Sequence, residues 1–217
     1  MCCVSLRCRR KMACSGSKPS KQVKARLDSF VLALTKKGIK LLAMDFDKTL
    51  IDIHSGGTWT ESVDKLVPHV RPCMRDLLEG AVNKGIFVAI VTYHRQGWLI
   101  KDLLHKVLPK KVANKIYVQG NTSDFMQRQR SLTSGSSDSI AGRYVMPELN
   151  GKEAHITAVL EEIQKEHHVS LKKDEILLMD DDMTNVRIAC NNGHYAMLVQ
   201  PYVDYPTFSS FETMLVL

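Results

Sequence analysis

The sequence lacks the cysteine patterns that hold zinc or build a disulfide framework. None of its six cysteines forms a Cys-x-x-Cys pair, which is the spacing typical of zinc sites. Four cysteines lie within the first 14 residues, and the other two, Cys73 and Cys190, are far apart in the sequence. We therefore expect a reduced, cytoplasmic setting rather than an oxidising one.

Long apolar runs are missing as well. No run approaches the roughly 18 residues needed to cross a bilayer, and the amino terminus has no signal-peptide core. The chain has 217 residues, of which 44% are hydrophobic and 24% are charged. This is the composition of one globular domain with a sizeable core.

Acidic residues are absent from residues 1–27, which hold eight of the 30 Lys and Arg residues. The other 22 basic residues are balanced by 23 acidic ones, so the net charge of +7 belongs to the amino-terminal tail. A nucleic-acid-binding body requires a basic face. No nucleic-acid partner is therefore expected.

Residues 1–20 form a basic, Cys-rich tail that has three interpretations. The start Met1-Cys2-Cys3, followed by clustered Arg and Lys, is compatible with a doubly acylated, polybasic anchor that attaches the protein to a membrane surface. An Arg-rich start without acids is also typical of a mitochondrial transit segment. The third interpretation is a disordered leader before a second start at Met12.

In residues 21–217, buried apolar strands alternate with amphipathic helices. Helical periodicity covers roughly 21–38, 68–85, 96–108, 152–167 and 184–191, and apolar runs cover roughly 39–44, 86–91, 115–118, 175–179 and 195–199. The alternation predicts an α/β fold: a doubly wound, Rossmann-like, mostly parallel sheet with helices on both faces. The pattern is lost over 119–150, which we predict to be a variable loop.

Polar residues end three of the predicted strands. Asp45 and Asp47 follow the first strand, Thr92 follows the second, and the run Asp180-Asp181-Asp182 closes the fourth. Each could be a solvated turn. However, the carboxyl ends of parallel strands lie at one edge of the sheet. Three such endings together favour a site at that edge.

A carboxylate cluster without His or Cys at ligand spacing suits Mg²⁺, which prefers oxygen ligands and shares its sphere with phosphate oxygens. A carboxylate can also attack phosphorus. Two negative charges about 4 Å apart repel by roughly 4 kcal/mol at an effective dielectric of 20, so the attack requires a cation and a second positive group. We predict that Asp45 and Asp181 hold the metal and that Lys152 and Thr92 bind the phosphoryl group.

These residues resemble the motifs of the haloacid dehalogenase (HAD) superfamily, phosphatase branch, across about residues 40–199. The matching residues are Asp45-Phe46-Asp47-Lys48-Thr49 after an apolar strand, Thr92 at a strand end, Lys152 at a helix start and Asp180-Asp181 at a strand end. The resemblance implies an HAD-like hydrolase. Its activity would be Mg²⁺-dependent hydrolysis of phosphate monoesters.

The resemblance also implies a role for each matching residue. Asp45 would be the nucleophile that carries the aspartyl-phosphate and also a metal ligand. Asp47 would act as acid and base and give its backbone carbonyl to the metal, beside the carboxylate of Asp181. Asn185 stands where the family often has Asp, so its contribution is left open. The residues expected to support the metal site are Asp180, Asp182 and Asn185.

The intervals between the motifs are short. About 44 residues separate Asp47 from Thr92, and about 60 separate Thr92 from Lys152, so no large cap domain is expected. Capless members of the family tend to act on bulky substrates such as phosphoproteins. The expected partner is a phosphorylated substrate, and both a small molecule and a protein stay open. Five residues border the predicted site and are candidates for specificity: His54, Trp59, Tyr93, His94 and Arg95.

Two other classes of protein share some of these features. A phospho-receiver domain combines an acidic pocket, a Thr and a Lys, but its phospho-accepting Asp ends a middle strand and its Thr and Lys come last. Here the order is Asp-x-Asp, Thr, Lys and acidic run, which favours the phosphatase. The second alternative is a catalytically silent HAD-like scaffold or membrane-tethered protein, which would be expected to lack Asp45 or Asp47.

Overall fold

The computed structural model describes residues 21–134 and 150–216. The predictions for the tail at 1–20 and for the part of the variable loop at 135–149 lie outside these residues and stay predictions. Within the described part, no helix combines the length and the apolar character that a membrane span requires.

Five parallel strands form one sheet with β1 at its centre. The strands are β1 (Leu41–Met44), β2 (Phe87–Val91), β3 (Ile116–Gln119), β4 (Ile176–Asp180) and β5 (Tyr195–Leu198). Their order in the sheet is β3-β2-β1-β4-β5, and every neighbouring pair is parallel. The structure therefore confirms the predicted doubly wound fold.

The helices fill the connections between these strands. They are α1 (Lys21–Lys37), α2 (Pro72–Asn83), α3 (Gly97–Val107), α4 (Lys110–Ala113), α5 (Ser123–Ser134), α6 (Glu153–His167), α7 (Met183–Asn191) and α8 (Thr207–Val216). The helices predicted from periodicity correspond to α1, α2, α3, α6 and α7. Helix α2 begins four residues later than predicted, because Pro72 occupies its first turn, where a fixed φ is favourable.

Helices cover both faces of the sheet. The side chains of each strand alternate between the two faces. In β1, Leu42 and Met44 pack into the larger apolar cluster with α1, α2, α3 and α8. Leu41 and Ala43 pack into the smaller cluster with α6 and α7. All four residues of β1 are buried, as an apolar strand at the centre of a parallel sheet should be.

Three of these helices differ from the sequence predictions. Helix α4 has only four residues, which is too short for helical periodicity to reveal. Helix α5 lies inside the segment 119–150, which was predicted to be a loop. Of its described side chains only Phe125 is buried, so the helix has no apolar stripe for a periodicity argument to find. Helix α8 follows the predicted end of the body at residue 199. Its Phe208, Phe211 and Leu215, spaced three and four residues apart, are buried, and this pattern was overlooked.

The strand order creates a crevice beside β1. The chain runs from β1 through β2 to β3 on one side and then crosses over to β4 and β5 on the other. The connections that leave β1 and β4 therefore diverge above the carboxyl ends of these two neighbours. Open α/β sheets bind their ligands at such a switch point, and β1 and β4 are the strands that end in acidic residues.

Candidate functional site

All eight predicted site residues line one cleft of about 240 Å³ at the carboxyl edge of the sheet. Backbone bonds of the sheet hold their positions: Asp45 N–H donates to the Met179 carbonyl at 2.9 Å, and Thr92 N–H donates to the Gln119 carbonyl at 3.0 Å. The convergence of the strand ends is therefore observed. The residues of the cleft that had been predicted are Asp45, Asp47, Thr92, Lys152, Asp180, Asp181, Asp182 and Asn185.

The centre of the cleft is a buried ion pair. The Lys152 ammonium donates to Asp45 Oδ1 at 2.6 Å and lies 3.9 Å from Asp180 Oδ2. Lys152 is 2% exposed and occupies the N-cap position of α6. The preceding Gly151 has φ of +56°, and a Cβ there would approach Ile188 to 3.2 Å, so this turn into the helix favours glycine.

Tyr93 encloses the Lys152 ammonium from a third direction. The ammonium lies 3.9 Å from the centre of the Tyr93 ring, within the range of a cation–π interaction. The Tyr93 hydroxyl donates to the Gly151 carbonyl at 2.8 Å and lies 3.4 Å from Asn185 Oδ1. The residue after Thr92 thus joins the end of β2 to the starts of α6 and α7.

The Asp47 carboxylate is held by the loop that follows it. Its Oδ2 lies 2.8 Å from His54 Nδ1 and accepts the Ser55 hydroxyl hydrogen bond at 2.8 Å. Lys48, the next residue, has a φ of +56°, which is strained for a side chain with a Cβ. The Arg71 guanidinium donates to the Lys48 carbonyl at 3.2 Å and thereby stabilises this turn.

The loop after β2 forms the opposite wall of the cleft. Thr92 is buried, and its hydroxyl oxygen accepts the His94 N–H at 3.2 Å. A Cβ on Gly120 would come within 2.4 Å of the His94 carbonyl oxygen, so only glycine allows β3 to end this close to the wall. The wall therefore depends on the absence of a side chain at residue 120.

Three carboxylates could hold a metal ion. Asp45, Asp180 and Asp181 each place an oxygen so that the three atoms lie within 4.8 Å of one another. From the sequence, Asp45 and Asp181 were predicted to bind the metal through their carboxylates, and Asp180 was predicted to support the metal site. In the structure Asp180 joins the cluster directly, while Asn185 Nδ2 donates to both of its oxygens at 3.1 Å. Asp182 instead caps α7 by accepting the Thr184 N–H at 2.7 Å.

The electrostatics of this cluster suit a divalent cation. Burial raises the pKa of Asp45 to about 7, with Lys152 opposing the shift and the charge of Asp180 adding to it. Burial also raises the pKa of Asp180 and of Asp181. The three crowded acids lie near the ammonium groups of Lys152 and Lys48, and all offered atoms are oxygens. The set therefore fits a hard cation such as Mg²⁺ better than zinc.

Sequence reasoning identified part of the surroundings of these residues. His54, Tyr93 and His94 line the cleft as expected. Trp59 and Arg95 instead connect the loop at 52–59 to the segment after β2. The Trp59 N–H donates to Gln96 Oε1, and the Arg95 N–H donates to the Gly57 carbonyl. The contacts of Ser55, Arg71 and Gly151 were missed. Ser55 follows His54 next to the Gly pair, but nothing in the sequence pointed to Arg71.

Comparisons with known proteins find similarity of fold. No family model and no curated protein matches the chain. Among solved structures, a HAD-superfamily hydrolase from Ehrlichia chaffeensis is 12% identical with a TM-score of 0.49, over 83% of this chain and 98% of that one. The HAD domain of the effector protein Lem4 from Legionella pneumophila, an inactive mutant, is 15% identical with a TM-score of 0.44, over 82% and 93%.

A phosphoserine phosphohydrolase-like protein from Francisella tularensis is 11% identical with a TM-score of 0.42, over 80% of this chain and 99% of that one. At these identities the similarity concerns the fold alone. Fold and cleft together define the class: a doubly wound α/β protein with a buried carboxylate–lysine site at its switch point.

Proposed function

We propose that this protein is a HAD-type, Mg²⁺-dependent phosphatase that hydrolyses phosphate monoesters through an aspartyl-phosphate on Asp45. The observation that carries the proposal is the convergence, in one cleft, of the Asp45–Lys152 pair at 2.6 Å with the carboxylates of Asp180 and Asp181. This arrangement combines a nucleophile, a place for a cation and a fixed ammonium. Phosphoryl transfer requires these three groups.

In the first step the Asp45 carboxylate attacks phosphorus while Lys152 and Thr92 bind the phosphoryl oxygens. Asp47 gives a proton to the departing oxygen. In the second step Asp47 takes a proton from a water molecule, which attacks the aspartyl-phosphate and restores Asp45. His54 and Ser55 hold one oxygen of Asp47 and leave the other free to exchange the proton.

The metal would be held by Asp45, Asp181 and the backbone carbonyl of Asp47, with Asp180 beside them. When bound, Mg²⁺ would supply positive charge that offsets the repulsion between the carboxylate and the phosphate. Lys152 supplies the second positive charge from the side of α6. The silent-scaffold alternative is not favoured, because Asp45 and Asp47 are both present and both line the cleft. A cytoplasmic location and attachment to a membrane through the tail remain proposals.

The size of the cleft bears on the substrate. About 240 Å³ is below the range of roughly 300–1,000 Å³ typical of pockets that enclose a small ligand. Such a cleft takes the phosphate and leaves the rest of the substrate outside. This favours a phosphoprotein over a small molecule, and a screen of phosphorylated sugars, nucleotides and peptides would test the preference.

The nucleophile is tested by replacing Asp45 with Asn. We expect hydrolysis of p-nitrophenyl phosphate with Mg²⁺ to fall by roughly 10³-fold or more, because no other group in the described part of the chain is proposed to attack phosphorus. Asp174→Asn is the matched control, since Asp174 is exposed just before the amino end of β4. Activity of Asp45→Asn close to that of the parent would rule out Asp45 as the nucleophile.

A further inference from the structure

His94 is a buried side chain of the cleft that the proposed mechanism does not use. It is 1% exposed and lines the cleft two residues beyond Thr92. Its Nδ1 accepts the Gln96 N–H at 3.1 Å. A ring nitrogen that accepts a hydrogen bond carries no proton, so in the neutral ring the proton is on Nε2.

This Nε2–H group has no hydrogen-bond partner among residues 21–134 and 150–216. Burial lowers the pKa of His94, although the negative charge of Asp47 opposes the shift, so the ring is neutral near pH 7. A buried donor left unpaired is destabilising. The group is therefore expected to meet an acceptor that enters the cleft.

Asp47 has a hydrogen-bond acceptor that lacks a donor among the described residues. Its Oδ2 is bound by His54 and Ser55, but its buried Oδ1 has no hydrogen-bond partner within the described part of the chain. Asp47 and His94 line the same cleft without bonding each other. The two side chains thus line one cleft, and within the described residues each leaves one buried hydrogen-bonding atom unpaired. A small oxygen-bearing group placed there could satisfy both.

We propose that the Nε2–H of His94 hydrogen-bonds the same substrate oxygen that Asp47 protonates, which is the leaving-group oxygen of the phosphate monoester. The inference rests on the proposed function and adds a residue to it. As the P–O bond breaks, its electron pair moves to the leaving oxygen, which takes a proton from Asp47. His94 keeps its own proton and stabilises the charge that develops on that oxygen.

The same pair then serves the second step. The attacking water gives one proton to Asp47, accepts the His94 hydrogen bond with one lone pair and uses the other to attack phosphorus. The bond between phosphorus and Asp45 breaks and returns its electron pair to the carboxylate. No oxidant, reductant or further reactant is needed.

The test compares two substrates of nearly the same shape, p-nitrophenyl phosphate and phenyl phosphate, whose leaving groups differ in basicity. His94→Asn keeps an oxygen that can accept the Gln96 N–H but removes the donor at Nε2. We expect kcat/KM to fall roughly 100-fold with phenyl phosphate but only about tenfold with p-nitrophenyl phosphate. Phenol is the poorer leaving group, so its departure depends more on the hydrogen-bond donor.

His94→Gln carries an amide nitrogen near the Nε2 position and is expected to restore most of the preference between the two substrates. His105→Asn, at an exposed residue of α3, is the matched control and should change neither rate. Thermal unfolding of each variant shows whether the fold is retained. Equal losses on both substrates in a folded His94→Asn protein would overturn the inference while the phosphatase proposal stands.

A second readout does not depend on turnover. Inorganic phosphate has an oxygen in the leaving-group position, so adding it with Mg²⁺ to the parent should move the ¹⁵N resonance of His94 Nε2. An unchanged resonance at saturating phosphate would contradict the contact. If the parent hydrolyses neither substrate, the proposed function and this inference both fail. Equal losses of His94→Asn on the two substrates would overturn the inference alone.

Discussion

The Lys152 ammonium is buried, and three neighbouring groups compensate for its loss of contact with water. Asp45 Oδ1 lies 2.6 Å away, Asp180 Oδ2 lies 3.9 Å away and the Tyr93 ring centre lies 3.9 Å away. An isolated buried charge is costly, whereas a paired one is tolerated. The ring of Tyr93 replaces water on one side of the ammonium without neutralising it. The ammonium is therefore held beside the cleft that would take the phosphoryl group.

The contribution of this ring can be measured with two substitutions. Tyr93→Phe loses the hydroxyl contacts but keeps the ring, whereas Tyr93→Leu loses both. A desolvated cation–π interaction is worth about 2 kcal/mol, so we expect kcat/KM of the Leu variant to be roughly 30-fold below that of the Phe variant. Steady-state hydrolysis of p-nitrophenyl phosphate measures the difference. Equal rates in the two variants would show that the ring does not support Lys152.

At the scale of elements, His155 links α6 to α5. Its ring centre lies 4.6 Å from that of Phe125 and 5.5 Å from that of Tyr93, and its Nε2 lies 2.8 Å from Asn121 Oδ1. The side chain is fully buried. Burial, together with the charge of Lys152, lowers the pKa of His155 to about 3. Helix α5 thus packs against a neutral imidazole.

This neutral histidine makes stability depend on pH. The unfolded chain takes up a proton at His155 below a pKa of about 6.5, and the folded protein does not. Stability therefore falls as the pH falls through 6.5 toward 3. Between about pH 7.5 and about pH 5.5 the loss from this residue should be about 1.4 kcal/mol. Urea unfolding at both pH values should show a loss that is larger in the parent than in His155→Gln by this amount.

His194 provides a comparison of opposite sign. Burial lowers its pKa, but hydrogen bonds to Glu153 at 3.1 Å and to the Lys173 carbonyl at 2.9 Å outweigh this effect and raise the pKa. Its stabilisation is present at low pH and is lost as the pH rises through the folded pKa. His194→Gln should therefore lose more stability on acidification than the parent does. If the stability of the parent, His155→Gln and His194→Gln changed equally with pH, the assigned pKa shifts of both histidines would be contradicted.

At the scale of the whole molecule, the first and last described helices close the same face of the sheet. Phe30 of α1 has its ring centre 5.3 Å from that of Phe208 and 6.0 Å from that of Phe211, both on α8. Phe30 and Phe208 are fully buried. Helix α8 thus covers apolar surface of α1 that would otherwise face water.

Removing the Phe208 ring should destabilise the whole fold. We expect Phe208→Ala to lower the free energy of unfolding by about 3–5 kcal/mol, because it removes a large side chain and leaves a cavity. Met214→Ala, on the same helix but at a side chain that is 61% exposed, should stay within about 0.5 kcal/mol of the parent. Chemical denaturation measures both. A small loss at Phe208 would mean that α8 is not part of the cooperative core.

The sequence by itself determined the sheet and the location of the site. Apolar runs as short as β1 and β4 must be buried on both faces, and strands that alternate with helices must be parallel, so their acidic ends meet at one edge. Asp45, Thr92 and Asp181 were accordingly predicted to lie close together, and they line one cleft. The missed helix α8 also left a readable pattern in the sequence.

Only the tertiary structure decided which atoms meet there. Asp45 and Lys152 are 107 residues apart in the chain, and the Tyr93 ring reaches the ammonium because Gly151 turns the chain before α6. Within residues 21–134 and 150–216, the Nε2–H of His94 and the Oδ1 of Asp47 are unpaired, and this follows from packing rather than from spacing in the sequence. Burial and hydrogen-bond partners depend on how the elements pack together, and a local pattern of residue types does not contain that information.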